Sequence, residues 1–248
     1  MKTFAEQIQQ KIDSKTKPVG SLGALESIAK QVASVQQSLS PTLTRPTILT
    51  FAGDHGAAKA GVSAFPQEVT HQMVMNFLDG GAAINVFCAQ NNIILRVVDA
   101  GVNFDFADQP GLINTKIAFG TASYLTEPAM TEEQLHTCFE RSAALVSDCA
   151  SEGCNIIGFG EMGIGNTASA TLIMSALCGL PIERCIGRGT GLDDEGMHRK
   201  FALLSEAQAL HGKITDPRKA LQTYGGFEVA QMCGGMLAAQ QHDMMIMI

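Results

Sequence analysis

The segment from Gly158 to Thr167 carries the residue types best suited to binding an anion, because four of its ten residues are glycine. It follows Cys154–Ile157, an apolar run typical of a buried strand, and it precedes Ala168–Leu177, which is typical of a helix. A glycine turn between a strand and a helix brings free backbone N–H groups and the positive end of the helix dipole together. The pattern therefore predicts a phosphate-binding loop.

Glu161 lies inside this predicted loop, where a carboxylate repels phosphate unless it serves another part of the ligand. A phosphate loop with an embedded acid favours chemistry on a phosphorylated substrate. The glycine register fits neither the dinucleotide fingerprint nor the P-loop motif. Many such turns only pack a helix against a sheet, so the loop alone leaves binding and packing equally open.

Elements that would position this loop alternate along the chain. We expect strands at Thr47–Ala52, Ile93–Val98, Cys154–Ile157, Arg184–Ile186 and Met244–Ile248, and helices at Phe4–Ile12, Ala24–Val35, Glu68–Leu78, Ala82–Gln90, Ala168–Leu177, Glu132–Ser151, Asp193–His211 and Phe227–Gln241. This alternation predicts an α/β fold with a mostly parallel, Rossmann-like sheet covered by helices on both faces. Four strands are followed by loops at Gly53, Asp99, Gly158 and Gly187, and ligands bind at that edge of open α/β sheets.

Composition restricts the partners of the protein. The chain of 248 residues has a net charge of −7, no Trp and two Tyr, which argues against nucleic acid and anionic membranes. No apolar run of about 18 residues suggests a membrane span. The seven cysteines form no C-x-x-C pair, so we expect reduced thiols and a cytoplasmic protein. The six histidines show no metal-ligand spacing.

Several motifs, in order along the chain, together resemble one family. They are Lys17-Pro-Val-Gly-Ser-Leu-Gly23, Phe51-Ala-Gly-Asp-His-Gly56, Gly61-Val-Ser-Ala-Phe-Pro66, Asn76-Phe-Leu-Asp-Gly-Gly-Ala-Ala-Ile-Asn85, Val97-Val-Asp-Ala-Gly-Val102, Gly160-Glu-Met-Gly-Ile-Gly-Asn-Thr167, Gly187-Arg-Gly-Thr-Gly-Leu-Asp-Asp-Glu-Gly196 and Gly225-Gly-Phe-Glu-Val-Ala230. The chain resembles the nicotinate-nucleotide–dimethylbenzimidazole phosphoribosyltransferases of cobalamin lower-ligand assembly. The resemblance extends over essentially the whole chain.

The resemblance implies a reaction and an architecture. Nicotinate mononucleotide gives its phosphoribosyl group to 5,6-dimethylbenzimidazole, which yields α-ribazole 5′-phosphate and nicotinate with inversion at the anomeric carbon. The resemblance also implies a homodimer and no metal or organic cofactor. A small helical domain is expected beside the α/β domain, and we assign residues 1–40 to the small domain and residues 41–248 to the α/β domain.

Site residues are assigned with the resemblance in mind. Phosphate is expected at Gly163, Gly165, Asn166 and Thr167, with Gly189 and Thr190 from a second loop. Lys200 is the expected balancing cation, against the alternative of a solvated surface lysine. Glu161 is the expected acid at the reaction centre, against the alternative of a loop-bracing acid, and we expect it to be buried. Phe65 and Met73 are expected beside the flat acceptor or, equally, in the core. Asp54 and His55 could line the site, but a lone His is more often structural.

Two alternatives remain beside the transferase. Family members continue past this sequence with a Gly-Glu-Gly-Thr-Gly loop whose glutamate is the family's general base, so a catalytically impaired nucleotide-binding remnant, with little turnover of its own, is one alternative. The other is a nucleotide-dependent oxidoreductase, which is disfavoured because the first strand lacks the glycine fingerprint.

Overall fold

The computed structural model describes residues 2–248 and is built around one sheet of five parallel strands. The strands are β1 (Thr47–Gly53), β2 (Ile94–Gly101), β3 (Leu112–Asn114), β4 (Ile156–Met162) and β5 (Met245–Met247). Their order across the sheet is β3-β2-β1-β4-β5, so β1 lies in the centre. The predicted parallel α/β sheet is therefore confirmed.

Helices surround the sheet and connect its strands. They are α1 (Phe4–Asp13), α2 (Ala24–Val35), α3 (Val69–Leu78), α4 (Ala83–Gln90), α5 (Glu132–Ser151), α6 (Asn166–Cys178), α7 (Ile182–Cys185), α8 (Asp194–His211), α9 (Pro217–Tyr224) and α10 (Phe227–Gln241), with a short 3-10 helix at Gly56–Ala60. In residues 2–248, no helix is both long and apolar enough to cross a membrane.

Alternation along β1 divides the core between the two faces of the sheet. Leu49 and Phe51 face α5 and α10 and are fully buried, and Phe227 of α10 joins the same cluster. Ala52 faces the opposite side, where it packs with Val74 of α3. A third cluster holds α6, α8 and α9 together through Leu172, Leu204 and Tyr224. Helices therefore cover both faces, and the carboxyl ends of the strands remain as the open edge.

The predicted end of the strand before the phosphate loop was wrong. Gly158, Gly160 and Glu161 belong to β4 rather than to a loop, because this stretch pairs in register with β1, as in the pairing of Glu161 with Phe51. Backbone pairing with a central strand outweighs the weak strand preference of glycine. The loop itself is shorter and begins at Gly163.

The predicted strand at Arg184–Ile186 was also wrong. Ile182–Cys185 is a one-turn helix that begins after Pro181 and buries Ile182 in the cluster of α6, α8 and α9. The segment lies outside the order of the five-stranded sheet and packs with helices instead, so it makes no ladder hydrogen bonds. Consequently, Gly187 does not follow a strand. The sequence analysis also missed β3 and α9.

Candidate active site

The carboxyl ends of β1, β2 and β4 meet at one edge of the sheet. The amide of Asp54 donates to the carbonyl oxygen of Gly101 at 3.0 Å, which joins the ends of β1 and β2. A Cβ atom placed on Gly163 would lie 2.4 Å from the carbonyl oxygen of Gly53. The backbone after β4 therefore presses directly on the end of β1, and only glycine fits there.

The turn after β4 delivers the N-terminus of α6 to this edge. Gly165 is the N-cap residue and has φ +100°, a conformation that favours glycine. The amide of Asn166 donates to the carbonyl oxygen of Gly163 at 3.1 Å, so the turn already uses a donor that we had assigned to phosphate. The amides of Gly165 and Thr167 have no protein acceptor within residues 2–248. These two N–H groups are the ones best placed to bind an anion.

A second loop lies against this turn, as expected, although it does not follow a strand. Gly189 has φ +55°, and a Cβ atom on it would lie 2.9 Å from Oγ1 of Thr167. The hydroxyl of Thr190 lies 3.3 Å from that of Ser63, which links this loop to the segment before α3. The predicted phosphate residues of the two loops are thus neighbours in the structure.

Lys200 lies beneath the two loops and is completely buried. Its Nζ donates to Oγ1 of Thr167 at 3.1 Å and to the carbonyl oxygen of Gly187 at 3.0 Å. Both acceptors are neutral, and no carboxylate of residues 2–248 lies within 4.0 Å of the ammonium. Burial lowers the pKa of Lys200. The alternative of a solvated surface lysine is therefore excluded.

Glu161 is exposed at the end of β4, so the expectation that it is buried was wrong. Its carboxylate accepts a hydrogen bond from the side-chain amide of Asn166. The surrounding protein still removes part of its hydration, and this effect and the charge of Glu228 raise the pKa of Glu161 against the opposing influence of Asn166 and His55. An accessible carboxylate beside the anion site can contact a bound ligand directly.

The two residues expected near the acceptor lie in different surroundings. Phe65 is 49% exposed, and its backbone amide donates to the hydroxyl of Ser63, which in turn lies beside Thr190 of the second loop. Met73 is half-buried and packs with Val74 and Phe77 of α3, in the core cluster on one face of the sheet. Phe65 is therefore free to contact a ligand, whereas Met73 has a packing role in the structure.

The sequence analysis missed a buried, hydrogen-bonded pair of titratable side chains under the site. Nε2 of His55 lies 2.5 Å from Oε1 of Glu228, and both side chains are almost completely buried. Burial lowers the pKa of His55, but the charges of Glu228, Asp54 and Glu161 raise it overall. Asp54 is also buried, which raises the pKa of its carboxyl. In the sequence, His55 follows Asp54 after the first strand and Glu228 follows two glycines. Because His55 and Glu228 lie 173 residues apart, no local pattern could predict their contact.

A parallel α/β sheet whose edge combines a helix N-terminus, a buried ammonium and an accessible carboxylate can bind a phosphorylated ligand and place a negative charge beside it. The sequence model of the phosphoribosyltransferase family matches residues 1–248. The chain therefore belongs to a phosphoribosyltransferase family.

Relatives specify that family more closely. The chain is 55% identical over 244 residues to the nicotinate-nucleotide–dimethylbenzimidazole phosphoribosyltransferase of Dechloromonas aromatica, covering 97% of this chain and 70% of the relative. The protein of that name from Aromatoleum aromaticum is 53% identical over 241 residues, with the same coverage. A crystal structure of CobT from Thermus thermophilus superposes with a TM-score of 0.93 at 37% identity, covering 98% of this chain and 73% of that one. The chain is a member of the nicotinate-nucleotide–dimethylbenzimidazole phosphoribosyltransferase family, and these relatives do not favour the remnant alternative.

Proposed function

We propose that this protein transfers the phosphoribosyl group of nicotinate mononucleotide to 5,6-dimethylbenzimidazole, with α-ribazole 5′-phosphate and nicotinate as products. Membership of the family gives the reaction. The observation that carries the assignment of the site is the buried ammonium of Lys200, which has only neutral protein acceptors. An isolated buried charge is costly, and a phosphate bound above it would neutralise that charge.

The donor phosphate fits between the two glycine loops. Its oxygens would accept from the amides of Gly165 and Thr167 at the N-terminus of α6. Lys200 would balance the charge, since its Nζ already contacts the hydroxyl of Thr167 and can turn a third N–H toward the ligand. Gly189 and Thr190 would close the other side. This arrangement fixes the 5′ end of the ribose and so determines where C1′ lies.

Glu161 would lie at the ribose and the reacting bases. The pyridinium of the donor is a good leaving group, so the protein has to supply orientation and negative charge for a cationic, sugar-like transition state rather than a strong acid. An ionised Glu161 provides such a charge near the phosphate site. The ring nitrogen of the acceptor attacks C1′ as the bond to nicotinate breaks, with inversion, and the acceptor proton leaves to a base. Phe65 would border the flat acceptor.

Substitution of Lys200 tests this placement. Lys200→Met keeps the length of the buried side chain and removes its charge, and we expect about 10- to 100-fold weaker binding of nicotinate mononucleotide by calorimetry, the value of a charge-assisted hydrogen bond. Arg199→Met is the matched control, because Arg199 is the exposed neighbour on α8 and pairs with Glu195. Equal binding by the two variants would contradict the proposed phosphate site.

A second measurement separates the role of Glu161. Glu161→Gln keeps the hydrogen bond to Asn166 and removes the charge, so we expect lower turnover with little change in donor affinity.

The resemblance further leads us to propose a cytoplasmic homodimer whose two substrates are small molecules. All seven cysteines are free thiols, which agrees with a reducing compartment.

A further inference from the structure

The turn that precedes α6, residues 163–165, carries the backbone of the phosphate site and is called the phosphate turn below. Within residues 2–248, a single side chain makes a hydrogen bond to its backbone: the amide of Ile164 donates to Oγ1 of Thr70 at 3.1 Å. Both residues are buried, and Thr70 has no exposed surface. Because water does not reach this bond, loss of the hydroxyl would leave the amide of Ile164 without a partner.

Helix α3 determines where this hydroxyl lies. Thr70 belongs to the first turn of α3, and Val74, one helical turn further on the same face, packs with Ala52 of β1. The segment that enters the helix is fixed as well, because the side-chain amide of Gln67 donates to the carbonyl oxygen of His55 at 3.2 Å. The hydroxyl of Thr70 is therefore carried by a helix that is anchored to the end of β1.

The glycines of the phosphate turn make steric contacts instead. A Cβ atom on Gly163 would overlap the carbonyl oxygen of Gly53, and one on Gly165 would lie 3.4 Å from Cβ of Ala58. Such contacts limit how closely the turn approaches β1, but they do not fix the rotation of its peptide planes. The bond to Thr70 does, because a hydrogen bond requires the N–H to point at its acceptor. With the amide of Ile164 held inward, the next peptide plane, which carries the amide of Gly165, has less freedom to rotate.

We propose that Thr70 is a positioning residue of the phosphoribosyl transfer, because its hydroxyl holds the amide of Ile164 inward and so keeps the amide of Gly165 directed at the donor phosphate. Thr70 is buried and acts through the phosphate turn rather than on the substrate. This role rests on the proposed function, whereas the hydrogen bond on which it depends can be measured without ligand or turnover.

Amide hydrogen exchange, followed by NMR of isotope-labelled protein, tests the bond itself. Thr70→Val keeps the shape of the side chain and removes the hydroxyl, so exchange at the amide of Ile164 should become about tenfold faster or more. Thr70→Ser restores an acceptor at the same place, and exchange should return toward the wild-type rate.

Calorimetry with nicotinate mononucleotide tests the consequence for the site. Thr70→Val should bind this donor about tenfold more weakly, and Thr70→Ser should recover most of the lost affinity. In the transferase assay, the KM for the donor should rise while the KM for 5,6-dimethylbenzimidazole changes little, because the bond holds the phosphate turn. A merely structural role of Thr70 would not produce this difference between the two substrates.

The matched control is Thr115→Val. Thr115 is also a buried threonine whose hydroxyl bonds a buried group, since its Oγ1 donates to Oε1 of Gln231 at 2.6 Å. It follows β3 at the edge of the sheet, whereas the phosphate turn follows β4 on the other side of β1. Thr115→Val should lower Tm as Thr70→Val does, without weaker donor binding and without faster exchange at Ile164.

Three results would overturn the proposal: unchanged exchange at Ile164 in Thr70→Val, unchanged donor affinity in that variant, or an equal loss of affinity in Thr115→Val. If Thr70→Val does not fold, Thr70→Cys replaces it, because a thiol is a weak acceptor, and its donor affinity should fall below that of Thr70→Ser. Wild-type protein that binds no nicotinate mononucleotide would refute the proposed function, whereas the exchange test at Ile164 does not depend on that function, so the two failures are distinguishable.

Discussion

Replacement of Gly163 by alanine is the sharpest steric test of the site. The new Cβ would lie 2.4 Å from the carbonyl oxygen of Gly53, 3.3 Å from Oε1 of Glu228 and 3.5 Å from Cδ2 of His55. The first contact is with backbone at the end of β1, in the centre of the sheet, and cannot be relieved by a change of rotamer. The loop would have to move outward by about 1 Å to restore normal contact.

Such a shift has two expected costs. Overpacking of this kind destabilises a protein by about 1–3 kcal/mol. Because the loop carries the amides that bind phosphate, a displacement of about 1 Å should also lower kcat/KM by up to about 10²-fold. Donor affinity should fall with it, since the amide of Gly165 moves away from the phosphate held by Lys200.

The assay compares Gly163→Ala with Gly187→Ala. Gly187 belongs to the second loop, has an ordinary φ and has no atom within 4 Å of its Cβ position, so the control adds the same methyl group without a clash. Thermal unfolding, donor calorimetry and turnover should separate the two variants. If Gly163→Ala matches Gly187→Ala in both Tm and donor affinity, the close approach of the loop to β1 does not determine the site.

Two further predictions concern buried titratable groups. Lys200→Met should raise Tm in phosphate-free buffer at neutral pH, because burial lowers the pKa of Lys200 below its unfolded value of about 10.5. The buried charge destabilises the folded state fully below the folded pKa, and this destabilisation disappears as the pH rises through the unfolded pKa. The increase in Tm should therefore shrink toward alkaline pH. A gain that grows with pH would contradict this sign. Iodoacetamide should alkylate the exposed Cys178 before the buried Cys138, because burial raises the pKa of Cys138 to about 12. Mass spectrometry of the alkylated protein, native and denatured, measures this order, which should hold only in the folded state.

Regular elements and the outline of the site follow from the sequence, because they depend on local patterns. Hydrophobic periodicity placed α2 at Ala24–Val35 and α5 at Glu132–Ser151, and the structure has both helices with the same bounds. Strand and helix alternation gave the parallel sheet, and the glycine turn gave the N-terminus of α6 as a candidate anion site. These inferences succeed because side chains three or four apart on a helix, or two apart on a strand, share a face regardless of the rest of the fold.

Tertiary structure decided the features that depend on residues far apart in the chain. Pairing with β1 made Gly158 and Gly160 part of a strand and put Glu161 at its accessible end. Packing brought Lys200 under Thr167 and Gly187, which made a common surface residue into a buried cation. Packing also brought His55 within hydrogen-bond distance of Glu228, 173 residues away in sequence, and no local motif predicts this contact. Charge, burial and hydrogen bonding depend on which groups meet in space, and only the complete fold determines that.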